Sequence, residues 1–274
     1  MTKPVSLFRS RSSPWLVVGV LAGLMAWLPA CRAVDLQGHR GARGLAPENT
    51  LAAFERALKI GVSTLELDVA ITADGVAVVS HEPALFEAIA RDAQGQWLSV
   101  RGPLIRSLTL AQVQAYDVGR LNPAHAYGRQ FPEQGPRDGQ RIPTLASVFA
   151  LVKALGATDV QFNIETKVYP NRPDDTVTPE AFVEVLLATI RDAGMTRRVI
   201  VQSFDWRTLA LVHQREPGLR TACLTTQGRN FNTLADGSSH VQTLDLQPWP
   251  ESAGADTLPR LAADRRLTVL DQAT

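Results

Sequence analysis

Residues 64–71 read Thr-Leu-Glu-Leu-Asp-Val-Ala-Ile, and after Asp74-Gly75 the chain continues Val76-Ala-Val-Val-Ser80 and then His81. Both runs have strand composition, and Asp-Gly between them is a turn signal, so they read as two strands across an Asp74-Gly75 turn. Side chains alternate faces along a strand, which puts Glu66 and Asp68 on one face and Leu65, Leu67 and Val69 on the other. Two ionised carboxylates near a strand's C-terminal end are costly to bury without a counter-charge. Either that face is solvated, as on an antiparallel edge strand, or a bound cation neutralises it. Oxygen-only ligands favour a hard ion, Ca²⁺ or Mg²⁺.

Working outward, strand and helix patterns alternate. Val34–Gly38 reads as a short first strand, and Leu51, Phe54 and Leu58 fall at helical spacing behind Asn49 or Thr50 as N-cap, with Gly61 as the stop. Residues 86–143 are rich in Gly, Pro, Arg and Gln and read as an insertion with one helix near Leu110–Tyr116. Further on come a helix over Leu145–Leu155, a strand over Val160–Glu165 and a helix from Pro179 to Asp192. A strand over Val199–Phe204, a helix over Arg207–His213 and a strand over Leu219–Thr225 follow. Glu165 and Lys167 repeat the two-residue spacing of Glu66 and Asp68, with Phe162 and Ile164 on the opposite face. Strand-then-helix units recurring over about 200 residues indicate a parallel α/β fold, either a barrel or an open sheet.

Composition sets the broad class. The chain has 274 residues, 45% of them apolar and 20% charged, which excludes a disordered chain, a coiled coil or a collagen. Lys3, Arg9 and Arg11 are the only charged residues before position 31, so the remainder carries 25 basic residues against 27 acidic ones. Such a body lacks the positive charge of a nucleic-acid binder. The two cysteines, Cys31 and Cys223, exclude a disulfide scaffold and a cysteine-based zinc site.

The basic start precedes a 14-residue apolar run, Trp15–Leu28, short of the roughly 20 residues that cross a bilayer. This is the pattern of a secretory signal over residues 1–33, with a membrane-anchoring helix as the rival reading. Leu28-Pro-Ala-Cys31 also resembles a bacterial lipobox, in which residues 1–30 are removed and Cys31 is acylated. Cleavage after Ala33 is the alternative, and both readings place the mature domain, residues 34–274, outside the cytoplasm, as a periplasmic protein or a lipoprotein facing the periplasm.

Five histidines are present. His39 and His81 each follow an apolar strand directly, where catalytic groups of α/β barrels gather. An imidazole pair serves as general acid and base near neutral pH, and Arg40 is suited to bidentate contact with phosphate oxygens. His125, His213 and His240 receive no role.

The segment His39-Arg-Gly-Ala-Arg-Gly-Leu-Ala-Pro-Glu-Asn-Thr50 resembles the glycerophosphodiester phosphodiesterase family. Four further blocks agree in order: Leu65-Glu-Leu-Asp-Val69, Val79-Ser-His-Glu-Pro83, Asn163-Ile-Glu-Thr-Lys167 and Val201-Gln-Ser-Phe-Asp205. The resemblance spans residues 35 to about 225 and implies a (β/α)₈ TIM-type barrel of the phospholipase-C-like kind. It implies hydrolysis of glycerophosphodiesters, small molecules of lipid and glycerol metabolism, to sn-glycerol 3-phosphate and an alcohol, with a divalent cation. By resemblance, His39 and His81 are the catalytic pair, and Glu66, Asp68 and Glu165 ligate the metal. Arg40 and Lys167 would contact the phosphate, Gln202 and Phe204 would line the substrate end of the pocket, and Glu48 and Asn49 would be structural.

Two departures from the family pattern stand out. Glu82 follows the second histidine where the family often has Asp. No Trp-Thr-Val-Asn-like motif is found after Thr225, where six strands have been counted and Leu267–Leu270 is a candidate seventh. The expectation is a C-terminally truncated barrel lacking its last strand, open at two edges. Two alternatives to the enzyme follow: a non-catalytic member that binds a cation or phosphodiester, and a phosphatidylinositol-type phospholipase C sharing the two-histidine chemistry.

Overall fold

The structure, a computed structural model, describes residues 35–225, 227–228, 231–232 and 267–271. Its centre is one sheet. Strand β1 (Gln37–Gly38) pairs with β2 (Thr64–Ile71), β2 with β4 (Gln161–Thr166), β4 with β5 (Val199–Ser203), β5 with β6 (Arg220–Thr225), and β6 with β9 (Leu267–Asp271), all in parallel. The candidate seventh strand at Leu267–Leu270 is thus a strand. β3 (Ala77–Val79) lies off this path, antiparallel to the end of β2 across the expected turn. β7 (Gln227–Gly228) and β8 (Phe231–Asn232) form a separate antiparallel pair.

Helices connect the strands where the periodicity places them. They are α1 (Leu51–Ile60), α3 (Leu145–Ala154), α4 (Pro179–Asp192) and α5 (Trp206–Arg215), with the four-residue α2 (Leu110–Val113) inside the insertion. Thr50, Thr144 and Thr178 cap α1, α3 and α4 by accepting a hydrogen bond from a first-turn backbone N–H. Each such cap contributes about 1 kcal/mol. Between the alternatives Asn49 and Thr50, Thr50 is the cap of α1.

All eight residues of β2 are buried, so the strand is covered on both faces, as parallel α/β sheets require. On one face Leu65, Leu67, Phe162, Ile164 and Val201 pack with Phe54, Phe149, Phe182 and Leu209 of the helices. Phe149 meets Phe162 edge-to-face at 4.8 Å between ring centroids. Alternation then leaves Glu66, Asp68, Asn163, Glu165 and Gln202 on the other face. Register brings them side by side: Asp68 pairs with Glu165, and Glu165 with Gln202.

The insertion contains little regular structure, and the helix expected over Leu110–Tyr116 ends at Val113. Beyond it the chain turns so that Asp117 and Arg91 exchange backbone hydrogen bonds of 2.9 Å. The segment has its own small core, in which Leu85, Ala90, Ile105, Val113, Val118 and Ile142 pack on Ala70 and Val78. Among the described residues no helix is long and apolar enough to cross a membrane. The signal segment 1–33, Cys31, His240 and most of the chain after Thr225, where the family's last-strand motif is missing, lie outside the described residues.

Candidate active site

Parallel strands all point the same way, so the loops following β1, β2, β4 and β5 gather at one end of the sheet. There Glu66, Asp68 and Glu165 each offer a carboxylate oxygen, and the three oxygens lie within 4.8 Å of one another. All three residues are buried. Glu66 accepts from the backbone N–H of Arg40 at 2.9 Å and from Gln202 Nε2 at 3.0 Å. Gln202 is held in turn by Asn163 Nδ2 at 2.9 Å. Asp68 Oδ2 accepts from Asn49 Nδ2 at 3.0 Å and lies 3.4 Å from Arg40 Nε. Lys167 Nζ donates to Glu165 at 2.7 Å and lies 3.8 Å from Asp68 Oδ1.

The buried charges do not balance. The buried carboxylates Glu48, Glu66, Asp68 and Glu165 stand against two buried cations, Arg40 and Lys167, an excess of two formal negative charges. Burial and the neighbouring Asp68 charge push the Glu66 carboxyl well above the usual carboxylate range. Burial also raises Glu165, against the pull of Lys167. Burial opposes the ionised form of Asp68 too, but His81, Lys167, Arg40 and the Asn49 hydrogen bond outweigh it and hold that carboxyl low. Asp68 Oδ1 is buried without a hydrogen-bond partner. An all-oxygen donor set, an unpartnered carboxylate oxygen and a two-charge deficit fit a hard divalent cation.

The loop after β1 supplies the next groups. Arg40 and Asn49 hold left-handed backbone angles, φ 50° and 53°, rare outside glycine and typical of sites where geometry is over-determined. Gly41, at φ 82°, is pressed against α1, where a Cβ would sit 2.8 Å from Ala53. His39 is half-exposed beside the triad, its Nε2 3.8 Å from Glu66 Oε2. Arg43 Nη2 lies 3.2 Å from His39 Nδ1. A guanidinium can only donate, so Nδ1 accepts and the neutral ring carries its hydrogen on Nε2. Partial burial, with the charges of Arg43 and Arg40, lowers the His39 pKa to about 4.

His81 comes from the end of the β3 hairpin, tied to β2 by the Ser80 N–H donating to Asp68 O at 2.9 Å. Its Nδ1 is 2.8 Å from Glu82 Oε1, and Tyr169 Oη donates to its carbonyl at 3.3 Å. His39, His81, Arg40, Lys167 and the three carboxylates therefore converge. Gln202 lies against Glu66 at the floor of the cluster and is almost wholly buried, whereas Phe204 follows β5 and is half-buried. Sequence reasoning gave no role to Arg43, Tyr127 or Tyr169. The side-chain link from Asn49 to Asp68 also carried no signal, because a helix-start Asn usually caps.

The fold and site define a parallel α/β protein with a buried carboxylate cluster fit for a divalent cation and two histidines at its rim. Residues 39–245 match the family model described as the glycerophosphoryl diester phosphodiesterase family, and the chain belongs to that family. Its (β/α)₈ barrel is accordingly this chain's fold class. A glycerophosphodiester phosphodiesterase of Caldanaerobacter subterraneus subsp. tengcongensis is 33% identical over 186 residues, 68% of this chain and 64% of that protein. One from Bacillus subtilis is 30% identical over 227 residues, 80% of this chain and 67% of that protein. The matched stretch thus spans about two-thirds of these curated relatives. A crystal structure from Silicibacter pomeroyi, assigned to the glycerophosphoryl diester phosphodiesterases, superposes with a TM-score of 0.74 at 33% identity, covering 88% of this chain and 83% of that one.

Proposed function

We propose that the chain hydrolyses glycerophosphodiesters to sn-glycerol 3-phosphate and an alcohol, with Ca²⁺ or Mg²⁺ held by Glu66, Asp68 and Glu165. The observation that carries this reading is a buried carboxylate triad, within a cluster that holds four buried carboxylates against two buried cations, with His39 and His81 beside it. Family membership supports the substrate class. Glu66, Asp68 and Glu165 would hold the cation, which would supply positive charge to offset the charge building on the reacting phosphate.

The protein's own groups divide the proton work. With Glu82 on Nδ1, His81 keeps its hydrogen there, and its Nε2 lone pair is free to take a proton from the attacking oxygen, either the substrate's 2-hydroxyl or water. As that oxygen bonds to phosphorus, the bond to the alcohol oxygen breaks; where the 2-hydroxyl attacks, a water then opens the resulting cyclic phosphate to glycerol 3-phosphate. His39, neutral with its hydrogen on Nε2, presents that N–H on the triad side as a hydrogen-bond donor to the departing oxygen, and the proton His81 takes from the attacking oxygen passes on to the alcohol, so both rings end the cycle neutral. Arg40 supplies a donor to the phosphate, and Lys167, tied to Glu165, holds the carboxylates and adds positive charge beneath it. Release of glycerol 3-phosphate from glycerophosphocholine, with and without chelator, tests the proposal.

We further propose that the domain works outside the cytoplasm. The support is the basic start and 14-residue apolar run of the N-terminus. Cys31→Ser should then release or misprocess the protein if the cysteine is acylated, whereas a mature protein starting at Val34 would exclude the lipid anchor.

A further inference from the structure

The insertion reaches back onto the loop after β1 through one side chain, Tyr127. Its hydroxyl donates to Glu48 Oε2, and Tyr127 Oη itself accepts from Arg40 Nη1 at 3.2 Å. Glu48 Oε1 accepts from Arg40 Nη1 at 2.8 Å. Tyr127, Glu48 and Arg40 thus close a ring of three hydrogen bonds, with Tyr127 separated from Glu48 by 79 residues of chain. Burial, then the neighbouring Glu48 charge, push the Tyr127 hydroxyl above its ordinary range, so it stays a neutral donor.

The ring occupies one terminal nitrogen of Arg40. Among the described residues the other, Nη2, makes no hydrogen bond, and Nε faces Asp68 at 3.4 Å without one. Arg40 is therefore anchored at Nη1 and keeps a donor for an anionic oxygen. The segment bearing Tyr127 is itself braced on this loop. Phe131 stacks under the Arg43 guanidinium at 4.7 Å, Gln134 Nε2 donates to Arg43 O at 2.7 Å, and Tyr127 packs edge-on between Phe86 and Phe131.

We infer that Tyr127 is a positioning residue for phosphodiester binding, acting through Glu48 to aim the Arg40 guanidinium. The insertion is then part of the substrate site. This rests on the proposed phosphodiesterase function. Removing the hydroxyl leaves the Glu48 carboxylate as the sole anchor of Nη1, so the guanidinium swings and the phosphate loses an aligned donor. Because Arg40 holds the phosphate in ground state and transition state alike, the loss falls on KM.

The test compares Tyr127→Phe with the wild-type holoenzyme in Mg²⁺ or Ca²⁺, measuring hydrolysis of glycerophosphocholine, competitive inhibition by sn-glycerol 3-phosphate and thermal melting. KM and the inhibition constant should each rise about tenfold, with kcat within about threefold of wild type and a near-wild-type melt. A purely structural role would lower the melting temperature and leave both constants alone. That result, or unchanged constants in a folded variant, overturns the inference while the function stands. If Tyr127→Phe melts below the assay temperature, Glu48→Gln breaks the same ring from the other side and must raise the same two constants. Its failure to do so also overturns the inference. A wild type that neither hydrolyses the diester nor binds the product overturns the functional proposal itself.

Discussion

His81 Nδ1 lies 2.8 Å from Glu82 Oε1, in adjacent residues at the end of the β3 hairpin. That contact fixes the tautomer on which the proposed base depends, and the hydrogen bond from His81 keeps the Glu82 carboxyl below its usual range. Glu82→Gln should therefore lower kcat by about tenfold or more with little change in KM or melting temperature, since orientation and tautomer are lost while binding is kept. Glu82→Asp, which restores the carboxylate, should recover much of the rate. Equal rates for all three proteins would show that Glu82 does not orient the histidine.

The cation should stabilise the fold in a pH-dependent way. Glu66 and Glu165 have raised pKa values in the cation-free fold, so that fold binds more protons than the unfolded chain, and its stability falls as pH rises through the carboxylate range and above. A cation displaces those protons. Its effect on the melting temperature should be larger at about pH 8 than at about pH 5. Melts in Mg²⁺ and in EDTA at the two pH values check this, and an equal gain at both would contradict the protonation scheme.

Glu66 and Asp68 should behave differently when neutralised. Glu66→Gln removes a charge that the cation-free site already disfavours. Its stability in EDTA should stay within about 1 kcal/mol of wild type, while the gain from added cation disappears. Asp68→Asn instead takes the shared anion away from two buried cations, Arg40 and Lys167, and should cost about 3–5 kcal/mol. Denaturant titrations in EDTA separate the two cases, and equal losses would refute the charge assignment.

Gly41→Ala should destabilise by at least about 2 kcal/mol, because the residue sits at φ 82° and the new methyl would meet the Ala53 backbone. The same strain acts on Arg40 next to it, so turnover should fall more than the folded fraction does. A stable, fully active Gly41→Ala would show that the loop can shift freely.

The parts of this site legible in the sequence are those governed by strand alternation. Glu66 and Asp68, two apart on a strand, had to share a face, and Leu65, Leu67, Phe162 and Ile164 marked the opposite face as core. His39 and His81 stood out because each ends an apolar strand. The insertion gave no comparable signal, since its core residues, such as Leu85, Val113 and Val118, are held by turns and isolated bridges with no repeating period. Tyr127 was invisible for the same reason, as its partners Glu48 and Arg40 lie 79 and 87 residues away. Arg43 escaped because its link to His39 depends on the left-handed turn at Arg40, which residue type alone does not announce.

The most direct measurement of the central claim is release of sn-glycerol 3-phosphate from glycerophosphocholine by the purified chain, in Mg²⁺ or Ca²⁺ and in excess EDTA, for wild type, His39→Ala and His81→Ala. The expected result is cation-dependent release by wild type, a fall in kcat of at least about 10² in each histidine variant, and no release in EDTA. Full release in EDTA, or near-normal turnover without either histidine, would contradict the account.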